Sequence, residues 1–416
     1  MTLSPARRWA LFALLLTAGI LNLVDRQIIS VLKPLISRDL GWSDNDYGTL
    51  AAWFQGSAAF AFLFTGWIVD RAGVRWANAA GVFAWSLAAI GHGWAMTIGQ
   101  FTFVRAALGA TEAMGTPAGI KTIATIFPPN LRSTGYGLSN AVGSVGGIVA
   151  PLLIPMLALF WGWRAAFVIA GVVGVIWSVA WLLAVRGIRF ERDEVGIATD
   201  APDYGPILKE RRTWAIALAK VLSDSTWWLM LFWMPDFFHR QFGLDGTALG
   251  PPLAIAYTGA AIGAMIAGTV ASRLLSRGAA LDRVRKGAML FAGLAVLPVP
   301  LALYSGHLWS ATLILALTMA GHQAFSTTLF AVIADVTPHA KVGRVTAFGA
   351  FCGNLGGMAI VKIAGLVLAA GLGYLPLFLF ASVSYLLALG WIHLLLPHLR
   401  RAEGAGAFDA VPAGAH

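Results

Sequence analysis

Twelve apolar runs, each nineteen residues or longer, follow one another along this chain with only short polar breaks between them. They fall near 9–32, 47–69, 77–95, 98–121, 133–158 and 164–186, then near 213–238, 248–274, 285–304, 308–334, 342–370 and 374–396. A helix of ~20 apolar residues crosses the hydrocarbon core of a bilayer with every backbone polar group satisfied within itself. A single soluble core could not take up so many apolar faces. Composition agrees: 58% of the 416 residues are hydrophobic and 12% charged, where soluble domains carry about 25% charged residues. The expected fold is an all-α membrane protein of twelve transmembrane helices. Cytosolic enzymes and nucleic-acid-binding domains are excluded, so no nucleic-acid partner is expected despite a formal charge of +10. Arg7 and Arg8 ahead of the first run look like the start of a signal peptide. No small-x-small cleavage site follows, and the run continues into Asn22, Asp25 and Arg26, so it reads as a retained first helix. The single cysteine, Cys352, allows no intrachain disulfide.

The longest polar stretch, 187–212, carries Arg189, Glu191, Arg192, Asp193, Glu194, Lys209, Arg211 and Arg212 and divides the runs into six plus six. The expected organisation is a six-helix bundle over 1–186, a cytoplasmic loop over 187–212, a second bundle over 213–399 and a mobile tail over 400–416. With the N-terminus placed in the cytoplasm, 21 of the 29 Lys and Arg fall in cytoplasmic segments. Four (Lys33, Arg38, Arg164 and Arg240) fall outside, and four (Arg26, Arg105, Lys220 and Lys362) fall within spans. This is the positive-inside bias; it explains the basic balance as topology and puts both termini in the cytoplasm.

The two halves echo each other. Gly66-x-x-x-Asp70-Arg71-x-Gly73-x-Arg75 follows span 2, and Gly268-x-x-x-Ser272-Arg273-x-Leu275-x-Arg277 follows span 8 at an offset of 202 residues. Two related halves with a site between them near the midplane is a transporter architecture.

The segment from Gly66 to Arg75 closely resembles the signature loop of the major facilitator superfamily, between its second and third helices. There glycine permits a close turn, while Asp70 can cap a neighbouring helix and pair with Arg71 or Arg75. The loop marks the family and acts as a conformational latch, a structural and gating role for Gly66, Asp70, Arg71, Gly73 and Arg75. Further segments resemble the anion:cation symporter branch. These are Asn22-x-x-Asp25-Arg26 in span 1, Glu112-Ala113 leading to Pro117-Ala118-Gly119-Ile120-Lys121-Thr122 in span 4, and Asp224-x-x-Trp227-Trp228 with Phe232-Trp233-x-Pro235 in span 7. His322-Gln323-Ala324-Phe325-Ser326, with Asp335 and Pro338, is similar to the hexuronate and galactonate-type transporters within that branch. The resemblance runs across all twelve helices. It implies two pseudo-symmetric six-helix bundles and secondary active import of an organic anion, a hexuronate or aldonate, by proton symport with alternating access. It also implies a functional monomer in the lipid of a bacterial inner membrane, with no enzymatic activity, metal or cofactor other than the coupling proton.

Ionisable side chains within spans carry the chemistry, since each costs ~2.5–3.5 kcal/mol at a helix centre. Asn22, Asp25 and Arg26 share one broad face of span 1. Arg105, Gly109, Glu112 and Thr116 step by four, three and four along one stripe of span 4, and Pro117 is placed to loosen a turn beside Glu112. A carboxylate cargo needs a permanent cation, and Arg26 offers a planar, bidentate one that does not titrate. Asp25 and Glu112 can carry protons, because burial favours the neutral acid. In the symporter branch the acids matching Asp25 and Glu112 couple the proton and the arginine matching Arg26 contacts the carboxylate. A purely structural pairing of these acids with Arg26 and Arg105 is the other role open to them.

Asn140, Gln323 and Asn354 offer amides for sugar hydroxyls, and Trp227 and Trp228 offer faces for a sugar ring, as does His322 a hydrogen bond. Trp233 reads as an anchor at the external surface. Lys362 would add a second positive charge for a dianion or snorkel. Arg105, Asp224 and Asp335 read as structural or gating residues. The chain departs from the sugar-acid pattern at Leu23 and Ala58, where a tyrosine is usual, and near Thr328, where an asparagine is usual. Each change removes a hydrogen-bonding group, which makes a less hydroxylated carboxylate the alternative cargo. A drug:proton antiporter is the rival within the superfamily, and an intramembrane arginine argues against cationic cargo.

Overall fold

The chain doubles back at Gly73, whose φ of 70° lies in the left-handed region that glycine enters without strain. The computed structural model describes residues 4–188, 190 and 203–402, with the side chains at 129, 130, 133, 137, 140–144, 339 and 340, Asn140 among them, outside that description. Residues 189 and 191–202 of the expected central loop, and 403–416 of the expected tail, also lie outside the described residues. The helices are α1 (Pro5–Val31), α2 (Lys33–Leu40), α3 (Asp44–Gly91), α4 (Ile98–Glu112), α5 (Gly115–Ile126), α6 (Pro129–Trp161) and α7 (Trp163–Ala184) in the first half. A short α8 (Gly205–Leu208) leads into α9 (Arg211–Phe242), α10 (Gly250–Ser276), α11 (Leu281–Val296), α12 (Leu308–Val336), α13 (His339–Ala369) and α14 (Leu375–Leu395). Among the described residues, nine helices are long and apolar enough to cross a membrane. The twelve expected spans are all helical: α3 holds two of them on either side of Gly73, α4 and α5 share one, and α6 is one.

Local chemistry sets several ends. Ser43 and Asp46 form a reciprocal capping box at the start of α3, and Thr97 with Gln100 does the same for α4. Gly41 and Gly243 close α2 and α9 in the left-handed conformation. The helices pack through small residues where apolar attraction alone gives no specificity. A Cβ at Gly259 or Gly263 of α10 would lie 2.1 Å from a carbonyl oxygen of α12, so only glycine allows that approach. Outward faces carry large apolar residues such as Phe103 and Phe291, each 74% exposed, which only lipid would cover.

Across the seam between halves, α1 meets α9, α3 meets α13, and α6 meets α10. Shifting each span by six positions maps this set of contacts onto itself, as two-fold pseudo-symmetry requires. Arg7 donates to the carbonyls of Ala184 and Arg186, and the amide of Ala402 donates to Asp335. Both described termini therefore lie at one end of the bundle, called here the terminal end. Lys33, Asp44 and Asp236 mark the opposite end.

Candidate functional site

Four charges converge inside the first half. Arg26 of α1 donates from Nε to Oε2 of Glu112 at 2.7 Å, with the Glu112 side chain fully buried. Asp25 is 2% exposed and faces the charges of Glu112, Arg105 and Arg26. Arg105 of α4 is fully buried, lies over the Phe54 ring at 4.7 Å, and donates from Nη2 to the carbonyl of Arg26 at 3.2 Å. The helix breaks directly after Glu112, between α4 and α5, as the position of Pro117 leads one to expect. Gly109 makes this geometry possible, since a Cβ there would sit 2.2 Å from the Phe54 carbonyl oxygen and block α4 from α3.

The cluster is electrically balanced but short of hydrogen-bond partners. Oδ1 of Asp25, Oε1 of Glu112, Nε and Nη1 of Arg105 and Nδ2 of Asn22 are buried with none. Buried polar groups are otherwise almost always paired. Arg26 also reaches the seam, its guanidinium lying 5.8 Å from both Phe54 of α3 and Trp228 of α9. A cation between the two halves beside a buried acid can bind an anion from one side and exchange it against the acid's charge.

The second half contributes a more saturated set. His322 Nδ1 lies 2.7 Å from the Tyr385 hydroxyl, which donates to the Ser223 carbonyl at 3.1 Å. Trp227 stacks on His322 at 4.8 Å. Asp224 pairs with Lys220 one turn away at 2.7 Å, packed so close to Gly353 that a Cβ there would meet its Oδ2 at 2.2 Å. Asn354 donates to the Ala350 carbonyl of its own helix, while the half-buried Gln323 forms no hydrogen bond among the described residues. Asn140 lies outside the described side chains.

At the opposite end a second four-charge cluster joins the halves. Lys33 pairs with Asp236 of α9 and, at 2.8 Å, with Asp44. Arg240 holds Asp44 and Asp236, and the Tyr374 hydroxyl also donates to Asp236. Lys362, expected near the cargo, is instead occupied across the seam by Asn45 and by Thr49 at 2.7 Å. Trp233 is no surface anchor: it is 1% exposed, with Lys33 4.8 Å over its ring and Tyr47 edge-on at 4.9 Å. At the terminal end Asp70 pairs with Lys121 at 2.8 Å rather than capping a helix, Arg71 lies over Trp67, and Arg75 lies over Trp76. Gly66 meets nothing that a Cβ would touch, so Gly73 alone makes the turn. Asp335 pairs with Arg285 at 2.9 Å, within the second half.

Sequence reasoning missed the opposite-end cluster, although Asp236 and Arg240 stand four apart on one helix, as do Lys220 and Asp224. It also missed Gln27 and Gln55, amides within apolar spans that are 1% and 0% exposed with both ends of each unpartnered. The signal for both was polarity in an apolar run.

The description of the Major Facilitator Superfamily matches residues 15–360. The chain belongs to the Major Facilitator Superfamily. It is a multi-pass membrane transporter of that family and shares its fold. Among curated relatives, it is 25% identical over 406 residues to the hexuronate transporter of Escherichia coli (strain K12), covering 91% of this chain and 92% of the relative. It is 25% identical over 424 residues to the D-galactonate transporter of Escherichia coli O6:H1, covering 92% and 96%. Among solved superfamily structures it resembles a bacterial homologue of the human lysosomal transporter Spinster, in an inward-facing and occupied conformation. That likeness has a TM-score of 0.73 at 19% identity, over 94% of this chain and 97% of the other.

Proposed function

We propose that this transporter imports a sugar acid, a hexuronate or aldonate, together with a proton. The observation that carries the reading is the Arg26–Glu112 ion pair, held at the seam with Asp25 and Arg105 around it. With both acids ionised, Asp25, Glu112, Arg26 and Arg105 sum to zero. A carboxylate arriving at Arg26 adds one negative charge in a poorly solvated place, and one proton on Glu112 or Asp25 removes it. Cargo and proton then enter as a neutral set, which permits the halves to close over them. The names of the sugar-acid transporters among the relatives support the cargo class. The basic terminal end is the cytoplasmic one by the positive-inside rule, in a bacterial inner membrane, and the Lys33–Asp236 end is external. The two bundles, 1–186 and 213–399, rock about the seam.

The test is uptake of glucuronate and galacturonate into proteoliposomes with acid outside, with and without a protonophore. Uptake that collapses with the protonophore is expected. Glu112→Gln is expected to abolish accumulation driven by the pH gradient while counterflow of the same cargo stays measurable. Equal gradient-driven accumulation by Glu112→Gln would overturn its coupling role. Leu23 and Ala58 favour one second reading, a carboxylate with fewer hydroxyls, which the same assay addresses through competition by simple carboxylates.

A further inference from the structure

Hydrogen bonds that cross the seam gather at the opposite end. Lys33 and Arg240 each reach an acid of the other half there, the Tyr47 hydroxyl donates to the Phe232 carbonyl at 2.7 Å, and Lys362 holds Asn45 and Thr49. Another crosses far from them, at the terminal end. There the hydroxyl of Tyr204 donates to the Leu63 carbonyl of α3 at 2.9 Å. Burial pushes the Tyr204 phenol above its usual range, so the hydroxyl keeps its proton and remains a donor.

Tyr204 belongs to a stretch, 203–210, that is fastened to the second half. The amide of Gly205 donates to Oδ1 of Asp203 at 2.9 Å and Pro206 lies in the first turn of α8, so the chain turns sharply there. The turned segment meets α9 and α13 and fully buries Ile207. Arg344 of α13 donates to the Asp203 carbonyl at 3.2 Å, Trp214 of α9 donates to the Leu208 carbonyl at 2.8 Å, and Lys341 of α13 pairs with Glu210. The Tyr204 ring itself rests on Phe348 of α13, with centroids 6.4 Å apart. Everything that seats this tyrosine is therefore in the second half, while its one donor goes to the first. The acceptor is a main-chain carbonyl within α3, three residues before Gly66, and it moves with that helix. One turn earlier on α3, Phe60 meets Phe351 of α13 at 5.5 Å, so the bond closes over an aromatic contact that also spans the seam.

We propose that Tyr204 is a strap: carried by the second half, it ties the terminal end of the seam to the first half and limits how far that end opens. A single neutral hydrogen bond shifts a two-state equilibrium by about two- to tenfold. That is enough to restrain the terminal end and weak enough to be broken and remade in each cycle. Charged clamping at the opposite end and a neutral strap at this one make the two ends unequal in the force needed to part them. The inference holds whatever the cargo and the coupling ion.

The experiment measures distances between paired spin labels on the full-length, cargo-free protein in a Cys352→Ser background, with and without Tyr204→Phe. One pair, Ile68→Cys with Leu274→Cys, spans the halves at the terminal end on exposed positions, and a second, Trp94→Cys with Leu372→Cys, spans them at the opposite end. Tyr204→Phe keeps the ring on Phe348 and removes only the hydroxyl. It is expected to raise the ratio of long to short terminal-end distances about two- to tenfold and to leave the opposite-end distances as they are. An unchanged terminal-end distribution overturns the inference, because the ring alone would then account for the contact. A shift towards shorter terminal-end distances overturns it as well, since the bond would then be holding the halves apart. Broadening at both ends with a lowered Tm marks a general packing role and also overturns it.

Discussion

Two clusters in this transporter hold the same four charges, two cations and two carboxylates, and use them in opposite ways. At the opposite end Lys33, Asp44, Asp236 and Arg240 are cross-linked by ion pairs on every member, and two of those pairs join one half to the other. In the first half Asp25, Arg26, Arg105 and Glu112 share a single ion pair, and four of their polar atoms are buried without partners. A saturated cluster gains nothing from a ligand and serves as a clamp. An unsaturated one at a seam, with its charges already balanced, has hydrogen bonds left to give, which is what the proposed anion and proton would use.

Breaking the unsaturated cluster at its cation should have the largest effect. Arg26→Ala is expected to lower uptake by about a hundredfold or more, because it strands Glu112 and removes the anion's partner. Uptake within a few fold of wild type would end the claim that this cluster is the site. Breaking the clamp comes next. Lys33→Met leaves Asp236 and Asp44 to Arg240 alone, a loss for the joined state below the ~3–5 kcal/mol of a wholly uncompensated buried charge. A cysteine placed at Asn45 in a Cys352→Ser background should then react faster with a membrane-impermeant thiol reagent. Exchanging the charges, Lys33→Asp with Asp236→Lys, should recover part of the protection.

Gln55→Leu sharpens the contrast with a smaller effect of opposite sign. Gln55 is fully buried and unpartnered, so an apolar replacement should leave the Tm unchanged or raise it. A fall worth about 1–3 kcal/mol would mean that its amide is paired in the membrane and that the first half is less open than it looks. The smallest change should come from Asp39→Asn. Its pair with Arg164 is 3.3 Å long with both side chains substantially exposed, and its loss should cost below about 1 kcal/mol in a thermal melt.

The membrane character, the number of spans and the doubled architecture were legible because they rest on periodic burial, which a single chain displays along its own length. Asp25, Arg26, Arg105 and Glu112 were legible for a related reason: a charge in an apolar run is costly wherever the helices go. Partner identity was not legible. Lys362 and Trp233 looked like cargo and surface residues, yet both lie beside the clamp, because α13 and α9 bring them against α3.

The sequence by itself determined that this chain crosses a membrane many times, in two related halves, with four charges inside the spans of the first of them. Hydropathy and spacing are local properties, and they hold before any helix meets another. Only the tertiary structure decided which charges saturate one another and which are left with bonds to give. Those pairings span up to 203 residues, as between Lys33 and Asp236, and depend on how closely glycine-lined helices approach across a seam that no single segment encodes.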